Sequence, residues 1–320
     1  MTTHTDSPRP ELLHTRADLH RRTSAFEITR YELHGSRWSV LVWAVVLFAV
    51  GSLYLSVYAS MKDVFDEQSE MMQQFPPEIM NVLGGTGALT TGAGFAQATF
   101  VGLLGFVLGS IALISWGQKA IAGPEESGDL ELTMSHGLSR TRYYLEQSLA
   151  LLLRAVLLAA VVGGTLALYN RLIGLDIEDA AIPAGALAWF SLVLLAGVGA
   201  LAGGAVFGRR IWATAVGAGV IVISFLTNAL GSQGDSIDWL LDISPYSWAF
   251  GGAPLENGWS VWAWFENGSW CAGNGETYCF DRAWFFGWDS WSTNPLLVLV
   301  LALVLWLVGW WAFTRRDLGK

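Results

Sequence analysis

The chain has 320 residues and a formal net charge of −9, with 53% of residues hydrophobic and only 14% charged. Soluble domains carry about 25% charged residues, so this balance argues against an ordinary soluble enzyme, and the mean hydropathy of +0.43 points the same way. Six runs account for the shortfall: residues 38–58, 95–116, 148–169, 184–207, 211–230 and 295–313, of which only the third contains a charge, Arg154. Each is long enough to cross a ~30 Å hydrocarbon core as a helix. The expected fold class is an all-α integral membrane protein with six transmembrane helices, filling residues 36–320.

Residues 1–9 are polar and read as a disordered tail. From 10 to 35 the pattern turns helical, with Leu12, Leu19, Phe26 and Leu33 recurring every seven residues among Arg16, Arg21, Arg22 and Arg30. This predicts an amphipathic helix lying in the membrane interface, favoured over a solvated helix or coiled-coil segment because a span follows within a few residues. The first span begins too far along the chain for a cleavable signal peptide and is expected to be retained.

Between the first two spans, Val64–Gln74 reads as a helix broken by Pro76-Pro77, followed by an apolar patch and a glycine-rich approach. A hairpin of short helices resting on the surface is expected there. The loop Gly117–Gln147 places Leu130, Leu132, Met134 and Leu138 as one apolar face of a short helix, and Ser139 as the cap of a helix running into the third span. The turn near 208–210 is so short that spans four and five must pack as an antiparallel hairpin.

Residues 231–294 carry nine of the seventeen tryptophans and both cysteines. Cys271 and Cys279 lie symmetrically about Asn274-Gly275, a hairpin-turn dipeptide that sets them opposite each other. In an oxidising exterior they would form a disulfide; two free thiols are the alternative.

Basic residues set the orientation. With both termini cytoplasmic, 15 of the 18 Lys and Arg lie inside and only Lys62, Arg171 and Arg282 outside, as the positive-inside rule requires. Three lysines against fifteen arginines, with an acidic exterior, fit adaptation to high salt and GC-rich coding equally well.

The chain offers little chemistry of its own. Its sole Gly-Lys, Gly319-Lys320, stands at the end of the sequence, so there is no phosphate-binding loop. The predicted spans contain no Asp, Glu or His, the groups used in proton relays and intramembrane proteolysis. No catalytic or metal-ligating residue is assigned, and no nucleic-acid partner is expected. Gly197–Ala202 matches a dinucleotide fingerprint but lies mid-span, where small residues serve helix packing. Gly105-x-x-x-Gly109 and Gly199-x-x-x-Gly203 also suit close packing, and point only weakly to a dimer face.

Three segments resemble the permease subunit of type-2 ABC exporters, the ABC-2 family. EESGDLELTMSHGLSR from Glu125 to Arg140 resembles that family's first inner loop. Ser244-Pro245-Tyr246 with PLENG from Pro254 resembles the stretch after its fifth span, and FTRRDL from Phe313 resembles its C-terminal end. FEITRYEL from Phe26 also fits the usual leading helix. Gly137 stands where proline is usual and Asp129 where threonine is common. The segment from about Trp259 to Asn294 is longer than the family norm.

The resemblance implies a transport subunit in the cell membrane that is not itself an enzyme. ATP and Mg would be bound by a partner ABC ATPase present in two copies, beside a second permease copy, identical or a close paralogue, and membrane lipids. Glu125, Gly128, Leu130, Glu131, Leu132, Ser139 and Arg140 would form the ATPase-coupling loop. The spans, uncharged apart from Arg154, suit hydrophobic or amphiphilic cargo. The tryptophan-rich segment would lie in the headgroup layer, cap the exit or contact cargo. A membrane sensor or assembly scaffold on the same fold is the rival reading.

Overall fold

The computed structural model describes residues 26–72, 91–135, 137–233, 236–257, 270–272, 278–280 and 295–316. Among the described residues, six helices are long and apolar enough to cross a membrane: Arg37–Lys62, Gly92–Ala120, Arg140–Ile173, Ala181–Phe207, Arg210–Gly231 and Pro295–Arg315, spans 1 to 6. Each contains one of the expected runs. Their alternation gathers Arg37, Lys119, Arg140, Arg209, Arg210 and Arg316 at one end of the bundle, the basic end. Lys62, Asp176, Glu178, Asp179 and Glu256 mark the opposite end.

Local signals explain the boundaries. Thr91 opens span 2 by accepting from the Gly94 amide at 3.1 Å. Ser139 opens span 3 by accepting from the Arg142 amide at 3.3 Å, the cap read from the sequence. Gly208 ends span 4 at φ 67°, a conformation glycine adopts without strain, so the chain turns back within two residues into span 5.

Span 4 is the hub. Within its apolar window 78% of residues are buried, against 17% for spans 1 and 5 and 22% for span 6. Its small residues admit three neighbours at backbone distance. A Cβ on Gly117 of span 2 would run into the Gly197 carbonyl, one on Gly217 of span 5 would meet the Ala196 carbonyl at 2.9 Å, and one on Gly309 of span 6 would meet Ala202 Cα at 2.8 Å. In lipid, association rests on such close packing because hydrocarbon is as apolar as leucine. The Gly199-x-x-x-Gly203 pair faces span 5 of the same chain, and Gly109 lies under Trp189. These glycines pack intramolecularly. Spans 1, 5 and 6 present exposed apolar side chains such as Val45, Phe48, Ile223, Leu226, Leu303 and Val304.

Three features depart from the expected elements. The helix of span 1 runs without a break from Arg37 to Met72, 36 residues and about 54 Å at 1.5 Å per residue. The first arm of the expected hairpin therefore prolongs the span, because no Gly or Pro interrupts Tyr58–Met72. Span 2 contains a π-helical stretch, Ala96–Gly105. Beyond span 5, three short helices (Trp239–Asp242, Pro245–Phe250 and Pro254–Asn257) fold back against the bundle, and two three-residue strands, β1 Trp270–Ala272 and β2 Tyr278–Phe280, pair antiparallel. The leading helix, α1, is described from Glu27 to Gly35; the first part of the expected 10–35 helix lies outside the described residues. So do the tryptophans from Trp259 to Trp264 and from Trp284 to Trp291.

Candidate functional site

The loop between spans 2 and 3 folds into two short helices at the basic end, α2 (Ala122–Ser127) and α3 (Asp129–Ser135). Gly128 joins them at φ 81° and Gly137 precedes the Ser139 cap at φ 84°, both left-handed turns. The expected single apolar face divides. Leu130 is 1% exposed and roots α3 in the core, Met134 packs against that core, and Leu132 points outward at 68% exposure. Residues i and i+2 lie on different sides of a helix, so Leu130 and Leu132 cannot share a face.

The other loop residues also separate into two sets. Gly128, Glu131 and Ser139 are exposed. Glu125 and Arg140 turn into the protein: Glu125 makes a salt bridge with Arg316 at the end of span 6, and Arg140 donates to the carbonyls of Phe313, at 3.5 Å, and Arg316. Arg140 thus caps the last turn of span 6. Glu126 accepts from the Arg210 amide at 2.8 Å and pairs with its guanidinium at 3.5 Å, capping span 5.

A second polar cluster joins α1 to span 3. Phe26, at φ 71°, contributes no capping side chain to α1. The Glu146 carboxylate supplies the cap instead, accepting from the amides of Ile28 at 2.8 Å and Thr29 at 3.3 Å while Arg142 Nε donates to it at 2.7 Å. Two turns along span 3, Arg154 is 3% exposed. It donates to the Glu32 carboxylate at 3.2 Å, the Glu32 carbonyl at 3.0 Å and Ser36 Oγ at 3.0 Å, and lies 5.6 Å over the Trp116 ring. The lone charge of the third run is therefore paired, as a charge at membrane depth must be.

At the opposite end the returning helices dock on the π segment. Gln97 accepts from the Leu255 amide at 3.0 Å and donates to the Phe250 carbonyl at 3.4 Å. The Tyr246 hydroxyl donates to the Gly102 carbonyl at 2.9 Å, its ring within 5.6 Å of Phe106, Phe225 and Phe250. Burial pushes the Tyr246 phenol up to about 12. An i→i+5 helix brings residues five apart, here Gln97 and Gly102, toward one side. In the two-stranded hairpin, β1 and β2 pair in the register that sets Cys271 opposite Cys279.

Sequence reasoning missed Glu32, Glu146, Gln97 and Arg316 as partners. The readable signal was the row Tyr143, Glu146, Gln147, Arg154, polar residues on one face of span 3 leading into an apolar run. Among the described residues no three His, Cys, Asp or Glu side chains could hold a metal ion. An open groove of about 500 Å³ lies between spans 2 and 5 at the basic end, lined by Gln118, Arg210, Ile211, Thr214, Ala215 and Ala218.

Six packed spans with an anchored loop and a returning segment are the build of a multi-pass membrane protein. Residues 32–258 match the family described as multidrug efflux system permease Rv1217c, C-terminal domain, and the chain belongs to that family. The match begins in α1 and ends immediately before Trp259, within the tryptophan-rich segment 231–294. No curated protein matches the chain.

Proposed function

We propose that the chain is the membrane-spanning permease subunit of an ATP-driven exporter of the ABC-2 type. Two copies of a separate ATPase bind ATP and Mg, and a second permease copy, identical or a close paralogue, completes the transporter. The chain lies in the cell membrane with both termini cytoplasmic, which puts the basic end inside, in line with the positive-inside rule. Cys271 and Cys279 form a disulfide in the exterior, a reading supported by their backbone register.

The observation that carries the proposal is the division of α3. Leu130 fixes the helix to the bundle while Leu132, 68% exposed, faces outward beside Gly128 and Glu131. An exposed leucine on a rigidly rooted helix suits insertion into a partner's groove. ATP-driven closure of the ATPases then pushes α3, and the bundle passes from inward to outward access. The cargo is hydrophobic or amphiphilic. The efflux family supports this.

The test is co-purification with a candidate ABC ATPase subunit from the same source, followed by drug-stimulated turnover in nanodiscs. Leu132→Asp and Glu131→Lys should lose the ATPase while the permease still accumulates and elutes as a single species. Wild-type capture by both variants, or a wild-type chain that captures no ATPase, would overturn the reading.

A further inference from the structure

Two of the sequence segments that stand far apart in the chain, the loop around Glu125 and the end around Arg316, meet in one ion pair. Arg316 Nη2 donates to both oxygens of Glu125, with 24% and 16% of the two side chains exposed. Arg316 Nη1 donates to the Val206 carbonyl at 3.2 Å, in the last turn of span 4. The pair is seated on the turn between spans 4 and 5, where a Cβ on Gly208 would collide with Glu125 and lie 2.6 Å from Arg316 Nη1. Gly208 is needed for its positive φ, and a side chain there would have to push the Glu125–Arg316 pair aside.

The adjacent carboxylate completes the arrangement. Glu126 holds the first amide and the guanidinium of Arg210, and Arg210 Nη2 also reaches the Gly123 carbonyl at 3.3 Å. Arg140, at the start of span 3, grips the last turn of span 6 and so fixes the backbone that carries Arg316. Two neighbouring acids on the six-residue helix α2 therefore reach the ends of spans 4, 5 and 6. The exposed helix α3 follows one glycine later.

We propose that Arg316 is a positioning residue for coupling: with Glu125 it carries movement of the α2–α3 loop to the ends of spans 4 and 6. The inference rests on the permease reading above and adds a transmission route to it. Spans 2 and 3 move with the loop because they are covalently joined to it. Spans 4 and 6 have no such covalent connection; beside the packing of span 4 on spans 2 and 3, these charge-assisted contacts tie the ends of both spans directly to the loop, and such contacts are directional and strong when part-buried.

The experiment uses the full chain with its ATPase in nanodiscs and compares Arg316→Glu, Glu125→Arg, the double charge swap and Arg316→Lys. Two readouts are kept separate: ATPase capture, which reads docking on α3, and drug-stimulated turnover, which reads coupling. Arg316→Glu should retain capture and lose stimulation about tenfold, the factor expected from losing one charge-assisted hydrogen-bonded pair. The double swap should recover several-fold over either single variant. Arg316→Lys keeps the charge but not the two-nitrogen fork, and should fall between. Where a charge reversal fails to accumulate, Arg316→Lys and Glu125→Gln give the same comparison. Capture without loss of stimulation in Arg316→Glu and Arg316→Lys, or a swap no better than the worse single variant, would overturn the route alone. Loss of capture by the wild type would instead overturn the permease reading, and this inference with it.

Discussion

Replacing Glu146 by alanine should release α1 from the bundle. The carboxylate is 5% exposed and accepts from two α1 amides and from Arg142. Losing an N-cap costs about 1 kcal/mol, and leaving the buried Thr29 amide without a partner adds about 1–2 kcal/mol. The ion pair with Arg142 adds little, since Arg142 is 31% exposed and water replaces its partner at about 0–1 kcal/mol. The sum is about 2–3 kcal/mol on the docking of α1, or about 30- to 150-fold in its undocked population. Glutamine keeps one acceptor oxygen, so Glu146→Gln should cost about 1 kcal/mol. Trypsin cleavage at Arg30, an exposed residue within α1, reports that population when opening is fast relative to cleavage. Cleavage should accelerate in that order, with the melting of the spans little changed. Wild-type cleavage of Glu146→Ala, or equal rates for the two variants, would refute the capping argument.

The packing of span 4 separates two glycines. Gly117→Ala would drive a Cβ into the Gly197 carbonyl and should cost about 1–3 kcal/mol, whereas Gly164→Ala has open space and should be neutral or stabilising by about 0.5–1 kcal/mol; equal thermal shifts for both would contradict this packing. Tyr246→Phe should destabilise the protein by about 0.5–1.5 kcal/mol through the lost bond to Gly102. Because the folded phenol is raised from 10.0 to about 12, its contribution is complete below pH 10.0 and disappears as pH rises through about 12. An ultraviolet difference titration against Tyr246→Phe that finds an ordinary phenol would contradict the burial. For the cysteines, the denatured, unreduced protein should show no thiol and gain two on reduction; two thiols before reduction would exclude the disulfide.

The boundaries of the spans were legible because hydrocarbon thickness imposes a length and forbids charges, and both constraints are local. Ser139 was legible for a related reason, since a cap acts over three residues. The prolonged helix Arg37–Met72 was half legible: its second half was read as helix, and only the absence of Gly and Pro said that it would not bend away. The π stretch of span 2 left no periodic signal, because apart from Gln97 its residues are apolar or small on every side.

Pairings across the fold were decided by packing alone. Glu32 and Arg154 are 122 residues apart, and Glu125 and Arg316 are 191 apart. Nothing local in the chain distinguishes these acids from solvated ones. Leu130 and Leu132 read alike as apolar residues of one motif, and only the seating of α3 buries one and exposes the other. The sequence by itself determined six membrane-crossing helices and where they begin, because solvent transfer acts on each segment separately. The tertiary structure alone decided that span 4 is the hub, that Glu146 caps α1, and that Arg140 and Glu125 face inward. Those outcomes depend on which backbones approach closely enough to share a hydrogen bond.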